Sequence, residues 1–257
     1  MTASPSVSPL PARYAAAAAD MPATLRALLA DGAPPSSVCA SELREALPHL
    51  PLSMPMGVAG DVLQKPNLIG RAGCAALRAA LDAGCDQQGD SVDGAPDYQL
   101  NLSADQLRMH IGAECMSALA ALARELDVQR GGSGRRELPL VEAFVRRYTA
   151  NTRPFHPFHQ DRAAITVNVA LTDDGAHGGG VLIGLFDDGA RAFERAEGTA
   201  TVHLSRIVHG VTRMTRGVRY SLICFLGDEP AVRRQLERMA QPDGTVVERW
   251  TRTVVEP

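Results

Sequence analysis

Aromatic side chains are scarce, at 4% of the 257 residues. That scarcity argues against a pocket built by stacking, of the kind that holds bases or large ring systems. No apolar run approaches the roughly 18 residues of a membrane-crossing helix, and the N-terminus lacks the basic stretch and apolar core of a secretory signal. Charge is nearly balanced, with a formal net value of -3, so no basic excess is present to drive nucleic-acid binding. Cysteines number five, Cys39, Cys74, Cys85, Cys115 and Cys224, an odd count with no C-x-x-C pair. A cysteine zinc site is disfavoured, and reduced thiols in a cytoplasmic protein are the simplest account; Cys74 and Cys85 could bridge, but spacing alone is weak evidence. Neither a membrane nor a nucleic acid is expected as a partner.

What is present is an ordinary globular composition, 45% hydrophobic and 21% charged, long enough for one large domain with a helical extension. Residues 1–20 read as a flexible tail, helical at most over 15–19. Residues 21–72 read as an extension packed on the core. It carries short helices over 21–29, with Asp20 as a possible cap, and 41–47, then a Pro-, Met- and Gly-rich stretch over 50–65 without a period. The main domain is expected over 73–257, with core strands over about 138–226. Cys74, Leu77 and Leu81 recur at helical spacing within 73–85. Ser103 and Gln106 form a capping-box signature for a helix that ends near Gly112 or continues through Leu119, Leu122 and Leu126. The polar stretch 86–97 reads as an exposed loop, 98–102 as an edge strand, and the Gly- and Arg-rich 130–136 as a solvated loop.

Strand-like runs then follow over 141–148, 163–171, 180–185, 198–204, 207–213 and 218–226, several of them separated by Gly- and Asp-rich turns. No helical connections long enough for repeated βαβ units lie between them, so the pattern predicts a mainly β sandwich or barrel with flanking helices. A late helix over 230–239 and an outer strand over 245–254 complete the expectation.

Chemistry concentrates at His159-Gln160-Asp161, His209 and Arg219. Side chains two apart on a strand share a face, so His159 and Asp161 can offer an imidazole and a carboxylate together. His209 would complete two histidines and one carboxylate, a donor set that leaves open positions on non-haem iron(II). A three-ligand catalytic zinc site uses the same residue types. An isolated H-x-D is common by chance; the match to His209 and Arg219 together is what gives it weight. The runs 207–213 and 218–226 would pair as a hairpin around Thr215-Arg216-Gly217, bringing His209 and Arg219 onto neighbouring strands. An arginine in a β-rich run needs an anionic partner, and a guanidinium beside a metal suits the far carboxylate of a small chelating diacid. Ser221 or Tyr220 would assist according to which faces inward. Arg213, like Arg216, either reaches the mouth of the site or faces solvent.

The set His159–Asp161, His209 and Arg219 resembles the HxD…H…R pattern of the iron(II)- and 2-oxoglutarate-dependent dioxygenases, and looks closest to their prolyl-4-hydroxylase-like branch. Further matching stretches are Arg147-Tyr148, Thr166 to Leu171, Gly178-Gly179-Gly180, Gly198, His209-Gly210-Val211, Gly217-Val218-Arg219 and Ser221-Leu222, with Cys74-Ala75-Ala76-Leu77 near the start. The resemblance implies a double-stranded β-helix (jelly roll, cupin-like) core. It implies Fe(II) on His159, Asp161 and His209, and the 5-carboxylate of 2-oxoglutarate on Arg219, with Tyr148 or Thr166 supplying a hydroxyl. Asn168 would contact the cosubstrate or shape its pocket. With O2 as second cosubstrate it implies hydroxylation with release of succinate and CO2, and no catalytic base or nucleophile. Asp161 favours hydroxylation over halogenation, since the related halogenases lack that carboxylate. The proline common after the distal histidine is replaced here by Thr212-Arg213-Met214, which points away from peptidyl-proline. A free amino acid, an amino-acid residue in a peptide or a small metabolite is the expected substrate. His156, Asp173, His177 and Arg213 are candidate substrate contacts; His156 reads equally well as a surface residue, and Asp173 and His177 as parts of a turn. Two other readings are a cupin-like metalloenzyme that does not use 2-oxoglutarate and a non-enzymatic β-fold binding module.

Overall fold

A computed structural model describes residues 9–47, 56–85 and 87–227. The expected late helix over 230–239 and outer strand over 245–254 lie outside the described residues, as does part of the 50–65 stretch. Helices α1 (Ala12–Ala19), α2 (Ala23–Leu29) and α3 (Ala40–Ala46) come first, then strand β1 (Val62–Lys65) and helix α4 (Arg71–Ala83). Strand β2 (Gln99–Leu102) leads into the long helix α5 (Ala104–Gln129). The remaining strands are β3 (Leu140–Thr149), β4 (His156–His159), β5 (Ile165–Ala170), β6 (Leu182–Phe186), β7 (Gly189–Phe193), β8 (Ala200–Leu204), β9 (His209–Val211) and β10 (Val218–Leu226).

These strands form two antiparallel sheets, one of six strands in the order β1-β8-β5-β10-β3-β2 and one of four in the order β4-β9-β6-β7. Alternation along the large sheet sorts its side chains. Val145, Val167, Val169, Leu222 and Cys224 pack with Leu77, Leu81, Leu119, Leu122 and Leu126 of α4 and α5. Thr166, Asn168, Arg219 and Ser221, one position out of phase, face the space between the sheets. Because both faces are covered, every residue of β5 is buried, the polar Thr166 and Asn168 included. The outer face of the small sheet is covered by Leu25, Leu28 and Leu29 of α2 and Leu43 of α3, against Phe158, Ile183, Leu185 and Val208.

Helix α5 starts as its sequence predicts. The Ser103 hydroxyl accepts from the Gln106 N–H at 3.2 Å, and the Gln106 side chain accepts from the Ser103 N–H at 2.8 Å. Gly112 breaks it with φ of 82°, and the axis resumes beyond. Helix α4 and edge strand β2 fall within two residues of expectation. Helix α2 begins after Pro22, so Asp20 is not its cap.

Four expectations need correction. Residues 12–19 are not tail but helix, because Tyr14 is buried edge-on against Phe155 with ring centroids 5.2 Å apart. The patternless stretch ends in β1, which pairs with β8 from Val62 opposite His203 to Lys65 opposite Ala200; four edge residues are too few to show a period. The polar stretch over 87–97 is not all solvent-exposed, because Asp90, Ala95 and Asp97 are buried. The hairpin between 207–213 and 218–226 does not form: β9 lies in the small sheet and β10 in the large one. The connecting residues take their backbone bonds elsewhere, Arg213 N–H to Leu29 O, Met214 N–H to Pro154 O and Thr215 N–H to Gly178 O. His209 and Arg219 therefore face one another from opposite layers. The short strand β7, which the sequence pattern does not signal, pairs with β6.

Candidate metal centre

His159 and His209 are direct partners across the β4–β9 pair, so their side chains project together into the inter-sheet space. Their rings lie 4.3 Å apart between centroids. Each ring is oriented by a backbone carbonyl two residues back. His159 Nδ1–H donates to Pro157 O at 2.8 Å and His209 Nδ1–H to Ile207 O at 2.9 Å. Carbonyls only accept, so Nδ1 carries the proton in both, and both Nε2 lone pairs are left facing the site.

Asp161 is not on the strand with His159, as its spacing suggested. β4 ends at His159, and Asp161 follows in a turn pinned by its own N–H to Ser205 O at 2.9 Å. The turn brings its two carboxylate oxygens each to 3.3 Å from one imidazole, Oδ1 from His159 Nε2 and Oδ2 from His209 Nε2. One ligand atom from each of the three residues fits within 4.8 Å of the others. Thr166, on the facing sheet, donates its hydroxyl to Asp161 Oδ2 at 2.6 Å and accepts from Ser205 Oγ at 2.9 Å. That contact ties Thr166 to the Asp161 carboxylate.

The ionisation states suit a divalent ion. Burial opposes charge on Asp161, but the neighbouring imidazoles, His209 first, outweigh it and hold the carboxyl well below the usual range. Burial is the main force on His209 and pushes it down to about 3; Asp161 offsets this in part. The cluster at neutral pH is thus one carboxylate and a neutral imidazole at His209, and the three residues together offer two nitrogen donors and one carboxylate oxygen. Iron(II) fits that donor set.

Arg219 is 1% exposed, and Nε, Nη1 and Nη2 all lack a hydrogen-bond partner. Its Cζ lies 4.7 Å from the centroid of the Tyr148 ring, the residue opposite it on β3. A buried guanidinium with every nitrogen unpaired is costly unless an anion completes it. Ser221, two residues on, is also buried with an unpaired hydroxyl. Tyr220 points outward and donates its hydroxyl to Asp82, so alternation selects Ser221 as the inward residue. Gly179 and Gly180, with φ of 66° and 69°, let the chain pass beside this pocket. A Cβ on Gly179 would meet Arg213 O at 1.8 Å, and one on Gly180 would meet Met214 Sδ at 2.2 Å and Arg219 Cδ at 3.1 Å.

The candidate substrate contacts fare differently. His156 is neither at the surface nor at a mouth. Its ring packs 4.3 Å from that of His159, and Arg153 approaches Nδ1 at 2.8 Å and Arg146 approaches Nε2 at 3.3 Å. Burial, then the neighbouring positive groups, hold it far below the usual imidazole value, so it is neutral. A neutral ring accepts on one nitrogen only, and distance selects Nδ1. Asp90 takes both arginines, at 2.7 Å from Arg146 and 3.3 Å from Arg153, and ties the 87–97 segment beneath the metal centre. Asp173 is exposed and caps a turn by accepting from Gly175 N–H at 2.8 Å. His177 is buried, with Nδ1–H donated to Gly179 O at 2.8 Å. The backbone N–H of Arg213 is held by Leu29 O at the end of α2.

The sequence reading passed over Asp90, Arg146, Arg153 and Arg195. Arg195 is 3% exposed, donates from Nη1 to Asn168 Oδ1 at 2.8 Å, and has Nη2 unpaired. Asp90, Arg153 and Arg195 sit in charged, turn-like stretches, and Arg146 in a strand beside Arg147, where pattern alone does not separate a buried charge from a solvated one. The five cysteines are all free. No helix among the described residues is long and apolar enough to cross a membrane.

No protein-family model and no curated protein matches the chain. Among solved structures it is similar to a prolyl hydroxylase from Trichoplax adhaerens, in complex with a hypoxia inducible factor oxygen degradation domain peptide fragment. The TM-score is 0.51 at 15% identity, covering 68% of this chain and 87% of that one. A Pseudomonas putida prolyl-4-hydroxylase gives 0.48 at 21% identity over 66% and 93%. An oxidoreductase of the 2OG-Fe(II) oxygenase family from Burkholderia pseudomallei gives 0.45 at 19% over 73% and 88%. The likeness to the Trichoplax protein concerns the fold: the two-sheet core is the double-stranded β-helix, flanked by helices.

Proposed function

We propose that the chain is an iron(II)- and 2-oxoglutarate-dependent oxygenase that hydroxylates an unactivated C–H bond of an amino acid, a peptidyl residue or a small metabolite. The observation that carries this reading is the pairing, between the same two sheets, of a two-histidine, one-carboxylate set with a buried guanidinium that has no partner. A structural zinc site would use four protein ligands and more often thiolates, and an ordinary β-fold binding module has no use for an orphaned arginine beside such a set.

In this reading His159 Nε2, His209 Nε2 and the Asp161 carboxylate hold Fe(II), and Arg219 grips the 5-carboxylate of 2-oxoglutarate. Once bound, iron, 2-oxoglutarate and O2 supply the oxidising chemistry, with succinate and CO2 as co-products. The protein's own part is placement and exclusion. Pro157 O and Ile207 O fix the imidazole tautomers. Thr166 orients the carboxylate, and the fork of Arg219 suits a carboxylate with two parallel bonds. Tyr148, Leu182, Val211 and Met214 form a buried apolar cluster that keeps water from the anion and so strengthens the ion pair. No side chain is needed as base or nucleophile. The substrate is a small molecule or peptide, and reduced cysteines fit a cytoplasmic setting.

Anaerobic titration of the protein with Fe(II) and then 2-oxoglutarate is expected to develop a weak visible charge-transfer band. Folded, iron-loaded protein that shows no band and no 2-oxoglutarate binding would overturn the reading. Arg219→Ala should weaken 2-oxoglutarate binding by about tenfold or more, as loss of a charge-assisted pair implies, while Fe(II) affinity stays at the wild-type value.

A further inference from the structure

Arg219 is not the only cation in its pocket. Arg195, from the segment joining β7 and β8, enters the inter-sheet space towards Asn168, whose side chain faces inward from β5. Its position is fixed by a reciprocal backbone clip: Arg195 N–H donates to Asp174 Oδ2 at 3.0 Å and Asp174 N–H to Arg195 O at 3.0 Å. The side chain extends from that clip, with Nε 3.4 Å from Asp174 Oδ2 and Nη1 2.8 Å from Asn168 Oδ1. Nη2 is buried and without a partner. The same is true of all three nitrogens of Arg219 and of the hydroxyls of Ser221 and Thr201. Thr201 lies opposite Asn168 on β8, with its side chain on the same inner face.

The charge sum is informative. Arg195 and Arg219 are each +1 and Asp174 is -1, so the pocket carries +1. Burial first, and then repulsion from Arg219, bring Arg195 down to about 10, which still leaves it charged at neutral pH. His177 is lowered from its usual value, chiefly by burial, and adds no charge. Two buried like charges with unpaired donors are unfavourable unless an anion sits between them. A carboxylate matches the charge to be neutralised; a phosphate dianion would exceed it.

We infer that Arg195 is a second arm of the anion pocket: its Nη2 and the Arg219 guanidinium close on the same carboxylate, and Asp174 trims the pocket to the charge of one monoanionic group. This rests on the reading of the cleft as a 2-oxoglutarate site and deepens it, because it makes the far carboxylate, more than the keto end, the part of the cosubstrate that the chain selects.

The test compares two keto acids on the Fe(II)-loaded protein under anaerobic conditions, by calorimetry. One is 2-oxoglutarate. The other is 2-oxopentanoate, the same five-carbon keto acid without the far carboxylate. Arg195→Gln is expected to weaken 2-oxoglutarate about tenfold or more and to leave 2-oxopentanoate within about twofold of wild type, since only the first acid has the group that Nη2 meets. A merely structural arginine would change both acids together or neither, and either result overturns the inference. Should Arg195→Gln fail to fold, Arg195→Lys carries the same contrast. It retains the charge but loses the fork, so selective loss of 2-oxoglutarate is again expected and an unchanged ratio again overturns the inference. Wild-type protein that holds iron yet binds no 2-oxoglutarate would overturn the parent reading and this one with it; wild-type binding with no change in the variants overturns this one alone.

Discussion

Thr166 shows how a single hydroxyl links the two layers. Its proton goes to Asp161 Oδ2 and its lone pair receives Ser205, so a residue on the large sheet sets the angle of a carboxylate in the turn that leaves the small one. Partners of this kind are worth about 10–100-fold in metal affinity. Thr166→Val is therefore expected to lower Fe(II) affinity by about that factor, and Thr166→Ser to restore most of it; equal affinity in all three proteins, measured by metal titration, would reject the role. Glu142, on β3, poses a different residue-scale question. Burial is the main cause, with help from Asp161, of its rise from 4.5 to about 7. Between those values the folded protein holds a proton that the unfolded chain has released, so stability falls as pH rises through the window. Glu142→Gln removes that dependence. The variant should gain Tm relative to wild type at pH 8 but not at pH 4, and an equal difference at both pH values would contradict the assignment.

At the scale of elements, the site depends on strands that would not hold alone. β9 has three residues and β4 four, and their outer face is closed by α2. Leu28 on that helix is fully buried with Leu25, Phe158, Ile183 and Val208. Leu28→Ala should cost about 2–5 kcal/mol, read as a fall in Tm of several degrees. A loss below about 1 kcal/mol would mean that the helix contributes little to the small sheet. The 87–97 segment is held more electrostatically. Burial resists ionisation of Asp90, yet Arg146 and Arg153 prevail and keep its carboxyl below the usual range.

For the molecule as a whole, the outline of the core was legible because strands and helices announce themselves by period: α4, the capping box of α5, β2 and most strands of the sandwich all follow from spacing. The clustering of His159, Asp161 and His209 was legible because these residues, with Arg219, recur in a known order. What escaped was long-range. Neighbouring runs suggested a hairpin between β9 and β10, and nothing local reveals that the chain crosses between sheets at 212–217. Arg195 and Asp90 escaped because a charged residue in a turn looks the same in sequence whether it faces water or a buried partner. β1 and β7 escaped because edge strands of four and five residues carry little pattern.

The direct pairing of His159 with His209 bears on the sheet as well as on the candidate site. Because β4 is joined to the rest of its sheet only through β9, an ion shared by those two rings and Asp161 would rivet the sheet's margin to its neighbour and to the turn beside it. On the proposed reading, loss of that ion would let the margin fray before the remainder of the molecule opens, so resistance to local unfolding should follow iron loading.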